Sequence, residues 1–303
     1  MFAPALLHSV SYSGSWGQAF LTLEQFIAKA ADLGFQGVML MAKRPHLSPL
    51  DFQAHQRARL RRQLEQLGLK TVCLAGYTNF TADLEHTEIP HREIQTQYVL
   101  ELARLASDLG GGLVRVFTGY ENPASSFLPQ WNLVIASLKE CAQRIAPLGV
   151  TLGVQNHHDI GVGHESMYDL IRAVDEPNCK ALFDAWAPAL QGEDLAVSAA
   201  CLAPLMVHTT VADYQLRPRY QYVPALVNYQ AKTPYVQAVP MGDGFIDYKA
   251  FLTALAEHGF SGSIAYEMCS PLLGGGGLEN LDSYARKFLQ YLEQLRNPIA
   301  GMS

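Results

Sequence analysis

A chain of 303 residues with 49% hydrophobic and 17% charged side chains, against roughly 25% charged in an average globular protein, has a large core and little surface to solvate. That excludes disorder and suits one or two domains. A formal net charge of −6 leaves no basic footprint for nucleic acid, since the densest basic cluster, Arg57, Arg59, Arg61 and Arg62, reads as the solvated face of a helix.

Along the chain one unit recurs: a short apolar run, a polar loop, then a stretch with apolar residues at helical spacing. Strands are predicted at 5–9, 37–41, 71–75, 113–118, 151–155, 180–184, 205–209 and 263–267. Thr22, Leu23, Glu24 and Gln25 make a Thr-x-x-Gln capping box at a helix start. Ser48-Pro49 is expected to open the next helix with proline in its first turn. Helices are expected to stop at Gly34, Gly68, Gly110, Gly149 and Gly259, each placed where a terminal residue takes left-handed backbone. Eight strand–helix units predict one α/β domain over residues 1–303, a (β/α)8 TIM barrel. A doubly wound open sheet is the alternative; it suits the chain less, because polar residues close the strands all along it and not at one switch point. The segment at about 212–242 carries Tyr214, Tyr220, Tyr222, Tyr229 and Tyr235; it reads as a long loop, either a lid or a contact in a homo-oligomer.

Five scattered cysteines, Cys73, Cys141, Cys179, Cys201 and Cys269, include no CxxC pair and read as reduced thiols of a cytoplasmic protein. No basic segment precedes an apolar run at the N-terminus, so no signal peptide is expected. The longest uncharged stretch, 195–212, contains Pro204 and His208 and makes a poor membrane span.

Barrel enzymes carry their chemistry on the C-terminal ends of strands. Here those ends are Gln155-Asn156-His157-His158-Asp159, Asp184, His208 and Glu267. Alternation puts Leu182 with Asp184, Met206 with His208 and Ala265 with Glu267 on one face. Four neighbouring strands thereby aim Gln155, Asp184, His208 and Glu267 at one point. Two carboxylates, an imidazole and an amide oxygen suit a divalent cation, with Mn²⁺, Mg²⁺ or Co²⁺ favoured over a thiolate-seeking ion and Zn²⁺ an alternative. The plainer reading of any one of them is a helix cap. His8, His46, Asn79 and Glu121 lie near other strand ends as candidates for the pocket wall. Trp16, Tyr12 and Trp186 are candidates to stack on a sugar or to fill the core. The run Ser270 to Leu278, with glycine at 274–277, is either a phosphate cradle or a flexible lead into the last helix.

The sequence resembles the sugar isomerase/epimerase family of xylose-isomerase-like barrels, relatives of ketose 3-epimerases, hydroxypyruvate isomerase and inosose dehydratase. His208-Thr-Thr-Val-Ala-Asp213-Tyr-Gln-Leu-Arg217 is similar to the family's His-x4-Asp-x3-Arg segment. Gly242-Asp-Gly244-Phe-Ile-Asp-Tyr248 resembles its Gly-x-Gly-x-Ile-Asp/Asn-Tyr/Trp motif, and Leu113-Val-Arg-Val-Phe-Thr-Gly119 its fourth-strand signature. The resemblance implies a metal-dependent isomerase or epimerase that works through an enediolate on a small-molecule carbohydrate. It implies Gln155, Asp184, His208 and Glu267 as metal ligands, Glu267 also moving protons, and His157 and Arg217, with Arg219 beside it, as substrate contacts.

Two departures stand out. Gln155 occupies the place of a family glutamate, and Ala187 that of a frequent histidine. An amide can ligate through its carbonyl oxygen but cannot accept a proton as a base. Epimerisation needs an acid/base on each face of the carbon, so His158 or Asp159 is the candidate for the second. An elimination needs only one, which makes a lyase, dehydratase or hydratase on keto-sugars or 3-keto-glycosides the alternative. The branch of this superfold that cuts abasic DNA needs a basic groove that this chain lacks. A binding module that has lost its catalysis is a further alternative.

Overall fold

A computed structural model describes residues 3–296. Eight parallel strands close into a barrel: β1 (Ala5–His8), β2 (Gly37–Met41), β3 (Thr71–Ala75), β4 (Leu113–Gly119), β5 (Thr151–His158), β6 (Cys179–Leu182), β7 (Met206–Val211) and, after a hairpin of β8 (Asp213–Val223) and β9 (Asn228–Val239), β10 (Ser263–Tyr266). The outer helices are α1 (Leu23–Asp32), α2 (Ala54–Gln66), α3 (His91–Asp108), α4 (Phe127–Ile145), α5 (His164–Val174), α6 (Trp186–Gln191), α7 (Leu195–Leu202), α8 (Tyr248–Glu257) and α9 (Leu278–Arg296). The expected (β/α)8 barrel is present.

Alternation along each strand sorts side chains into two cores. Leu7, Val38, Leu40, Val72, Leu74, Val114, Val116, Leu152 and Val154 join the large core shared with the helices. Leu6, Met39, Cys73, Ala75 and Ala265, with Leu113 against them, form a separate cluster, which fills the barrel from within. Two positions further along several of the same strands the inward residues turn polar: His8, Arg115 and Glu267, each beyond an apolar residue of that plug. The barrel is thus stoppered at one end and polar at the other.

The local signals behave as their chemistry requires. Thr22 and Gln25 cap α1 reciprocally. Gly34, Gly68, Gly110, Gly149 and Gly259 all take positive φ, where a Cβ would meet its own backbone. Ser48-Pro49 does not open a helix. Asp51 N–H bonds the Ser48 carbonyl at 3.0 Å in a turn, and α2 begins at Ala54, where Gln53 and Gln56 cap each other. The Tyr-rich segment is not a loop but an antiparallel hairpin, with Tyr222 paired to Tyr229 and a register shift between Arg217 and Arg219 at Pro218, which has no N–H to give a ladder. Its base is buried and the remainder is largely exposed. The glycine run packs against the loop before α1: Gly276 accepts from Ala19 N–H at 2.7 Å, and a Cβ there would stand 2.1 Å from the Gly17 carbonyl. The cysteines are unpaired, and no helix among the described residues is long and apolar enough to cross a membrane.

The Asp213 carboxylate, 1% exposed, accepts N–H bonds from Gly242 and Gly244 at 2.9 Å and from Tyr214 at 2.9 Å. It ties the barrel end of the hairpin to the turn before α8. Any Cβ at Gly244 would lie 1.9 Å from the Asp213 carboxylate. We expect Gly244→Ala to lower stability in urea unfolding by about 1–3 kcal/mol, the usual range for overpacking.

Candidate active site

The strand ends of β5, β6, β7 and β10 meet at the polar end of the barrel. Gln155, Asp184 and His208 are all buried there. Gln155 Nε2 donates to Asp184 Oδ2 at 2.7 Å and reaches Thr210 Oγ1 at 3.1 Å. Asp184 Oδ1 accepts from Trp186 N–H at 3.3 Å at the start of α6. Asn156 holds the two strand ends in place, its Oδ1 accepting from Asp184 N–H at 2.8 Å and its Nδ2 donating to the Asp184 carbonyl at 3.0 Å. His208 Nδ1 meets Ser263 Oγ at 2.6 Å, and its Nε2 is buried with no partner. Glu267 Oε2 stands 3.8 Å from His8 Nε2, and Glu267 Oε1 accepts weakly from Cys269 Sγ at 3.5 Å.

Burial sets the charge of these groups. It raises the Glu267 carboxyl to about 7, with the Asp184 charge adding to the rise and Arg115 opposing it. It raises Asp184 to about 6, against the pull of its hydrogen bonds from Gln155, Trp186 and Thr210. The same loss of solvent holds His208 and His157 down to about 3 and His158 to about 4, so all three are neutral near pH 7. Glu267 is therefore the group able to take and return a proton at neutral pH.

The other expected residues divide. His157, His158, Asp184 and Trp186 line one cleft of about 290 Å³, with Tyr120 and Asn156. His158 takes φ 72° beside a register shift between β4 and β5. Its ring stacks on Tyr120 at 3.9 Å and its Nδ1 meets His157 Nδ1 at 3.0 Å. The Trp186 ring packs 4.8 Å from Tyr214. Asp159 is not brought to the centre: it is exposed and accepts from Glu121 N–H at 2.9 Å. Arg217 bonds Gln237 across the hairpin at 2.8 Å, and Arg219 is exposed further out on β8. Among the wall candidates, His8 belongs to the centre, whereas His46 Nε2 bonds the Leu21 carbonyl at 3.0 Å and Asn79 organises the loop after β3. Tyr12 is wholly buried on Asp282 at 3.0 Å, and Trp16 is exposed.

Sequence reasoning missed Arg115. It points into the barrel from the middle of β4, is 2% exposed, and lies over the Phe117 ring at 3.9 Å and near Tyr77 at 5.0 Å. Its signal was legible, as the charged residue inside the apolar run at 113–118. Asn156, hidden beside the conspicuous Gln155, was missed as well.

The donors have the chemistry of a cation site. The Ser263 bond leaves His208 Nε2 as the free ligating atom, as metal-binding histidines usually are. Asp184 accepts the Gln155 N–H, which leaves the amide carbonyl oxygen as the free end of Gln155. Convergence is looser than the donor types suggest: among the described residues no three His, Cys, Asp or Glu side chains are drawn together in the spacing of a metal site.

Residues 27–295 match the family model for the xylose isomerase-like TIM barrel. The chain belongs to that family. No curated protein sequence matches it. Solved structures share its fold at low identity. D-psicose 3-epimerase from Clostridium cellulolyticum H10, determined with D-tagatose, superposes with TM-score 0.72 at 17% identity, covering 96% of this chain and 99% of that one. An L-ribulose 3-epimerase superposes with TM-score 0.72 at 18% identity over the whole of both chains. A probable 3-DHS dehydratase involved in petrobactin synthesis in Bacillus anthracis superposes with TM-score 0.69 at 17% identity, covering 97% of this chain and 99% of that one.

Within this xylose isomerase-like barrel, Gln155 does what a carboxylate cannot. A glutamate there would face Asp184 across 2.7 Å with like charge, and the pair would have to share a proton or take up a cation. We expect Gln155→Glu to tighten Mn²⁺ binding roughly tenfold, about 1.4 kcal/mol, and to lower the melting temperature of the metal-free protein. Calorimetric titration and a thermal scan read both; equal or weaker metal binding counts against Gln155 as a ligand position.

Proposed function

We propose that the protein is a divalent-metal-dependent isomerase or epimerase of a keto- or hydroxy-carbonyl sugar. The observation that carries this reading is Glu267, a carboxyl near neutrality at a strand end shared with Asp184 and an unpartnered His208 Nε2. Asp184, His208 and Glu267, with the Gln155 carbonyl, would hold the cation, for which Mn²⁺ is the first choice. Bound there, such an ion supplies Lewis-acid polarisation of a carbonyl oxygen. Glu267 removes the proton from the carbon beside the carbonyl; an isomerase returns it to the neighbouring carbon, whereas an epimerase needs its return from the opposite face, where His158 in the cleft wall is the candidate. The neutral His157 and His158 and the Trp186 ring line the cleft that seats the sugar.

A second reading has a specific basis. Gln155 cannot ionise, and Asp159 is engaged elsewhere, which leaves Glu267 as the base and His158 as a weak partner held neutral by burial. One base suffices for an elimination next to a carbonyl, so a lyase or dehydratase on keto-sugars or 3-keto-glycosides uses the same site. The 3-epimerases and the dehydratase that share the fold support both chemistries without choosing between them.

Incubation in D2O with added Mn²⁺, Mg²⁺ or Co²⁺ and ketohexoses, hydroxypyruvate, inososes or 3-keto-glycosides tests the proposal. Deuterium uptake without elimination favours the epimerase, and release of water or aglycone the lyase. Glu267→Gln should cut either signal by about 10²–10⁴-fold, the usual worth of a general acid–base. The rate should rise with pH as Glu267 ionises and level off at or below about pH 7, because a bound cation draws the carboxyl lower. Unchanged turnover in Glu267→Gln overturns the assignment.

A further inference from the structure

Opposite Asp184, His208 and Glu267, on the side formed by β2, β3 and β4, the barrel mouth carries a second set of groups that the proposed chemistry leaves unused. Arg115 is nearly sealed from solvent. Its Nε and Nη1 are buried without a hydrogen-bond partner, and among the described residues no carboxylate lies in ion-pair range of its guanidinium. Two residues beyond β2, Lys43 sets its ammonium 3.9 Å over the Tyr77 ring, and Arg115 approaches that ring at 5.0 Å. The Tyr77 hydroxyl is buried as well, with Arg115 as the nearby cation that opposes the rise of its pKa on burial. Partial burial lowers the Lys43 pKa, and the nearby Arg115 charge adds to that fall.

Such an arrangement is unfavourable as it stands. A buried guanidinium is normally paired, because an uncompensated charge in a low-dielectric interior is strongly destabilising, and a second cation beside it adds repulsion. Asp184 and Glu267 feel the charge but do not contact it, and burial pushes both toward their neutral forms. What the arrangement lacks is an anion: two N–H groups of the planar fork are buried without partners, and the solvent-reaching Lys43 ammonium stands beside the same ring. A guanidinium fork matches the two coplanar oxygens of a carboxylate.

We propose that Arg115, Lys43 and Tyr77 form an anion subsite, and that the substrate is a sugar acid whose carboxylate binds there while its carbonyl end faces Glu267. This deepens the sugar-enzyme reading and rests on it for the orientation of the substrate, but the subsite itself can be tested without turnover. Phosphate esters are anionic too, yet a tetrahedral group with three terminal oxygens and up to two charges meets more donors than one fork and one ammonium provide, so the carboxylate is the assignment.

The test uses metal-free protein, with DL-glycerate, glycerol and inorganic phosphate as probes. Each is titrated at matched ionic strength against sodium chloride, and binding is read by thermal shift and calorimetry. We expect glycerate to bind at least tenfold more tightly than glycerol, with phosphate no better than the chloride control. Lys43→Met, at an exposed position, should weaken glycerate about tenfold, roughly 1.4 kcal/mol, and leave glycerol unchanged; Arg115→Met should abolish the preference. The assignment is overturned by equal response to glycerate and glycerol, by preference for phosphate, by no response beyond chloride, or by a preference undiminished in Lys43→Met. Unchanged proton exchange in Glu267→Gln with glycerate binding intact would instead remove the catalytic reading and leave the subsite.

Discussion

The organising constraint is the enclosure of ionisable groups in one dry end of the barrel. The plug of Leu6, Met39, Cys73, Ala75 and Ala265 fills the interior below, so the polar groups above it meet solvent through the mouth alone. Low dielectric strengthens every interaction between them and penalises every charge left unpaired. Carboxyl groups climb toward neutrality, histidines lose their protons, and the guanidinium of Arg115 becomes the fixed charge against which the others are set. Its positive field opposes the rise of both Glu267 and Asp184 and helps to keep His208 neutral.

Within that enclosure the amide at position 155 has a consequence beyond the loss of a base. It turns what would be a carboxylate–carboxylate contact into a hydrogen bond of 2.7 Å. Asp184 thereby has a partner in the barrel without a cation, and Asn156 and Thr210 complete its shell. The acidic centre is thus held together by hydrogen bonds, and a metal added to it would have to compete with or complement them. On the proposed reading the proton chemistry falls to Glu267, which is why isomerisation and elimination are both compatible with one set of residues.

Much of the fold was legible in the sequence because barrels repeat their grammar. Glycines at helix ends need left-handed backbone, and apolar runs of strand length followed by a polar residue mark the catalytic ends of strands. Asp184, His208 and Glu267 were visible because each closes an apolar run where a core would not tolerate it. What escaped depends on contacts distant in sequence. Asp159 looks like Asp184 on paper, yet its partner is the Glu121 N–H of the loop after β4. Arg217 and Arg219 lie two residues apart, but the bulge at Pro218 and the reach of the hairpin leave one on Gln237 and the other in solvent. Ser48-Pro49 has a helix-start composition, whereas the turn to Asp51 and the Gln53–Gln56 cap delay the helix to Ala54. Arg115 was visible as a charge inside an apolar run, but its place in the site was not, because an inward charge at the centre of a strand is judged only by what lies across the barrel.

The central claim is that burial and the surrounding charges hold Glu267 near neutrality. The most direct measurement is the carboxyl ¹³C titration of Glu267 in glutamate-labelled, metal-free protein, with the resonance assigned by its loss in Glu267→Gln. The account predicts a midpoint of about 7 that moves upward in Arg115→Met, where a stabilising positive charge has been removed. A midpoint at the ordinary glutamate value of about 4.3, unmoved by Arg115→Met, would contradict it.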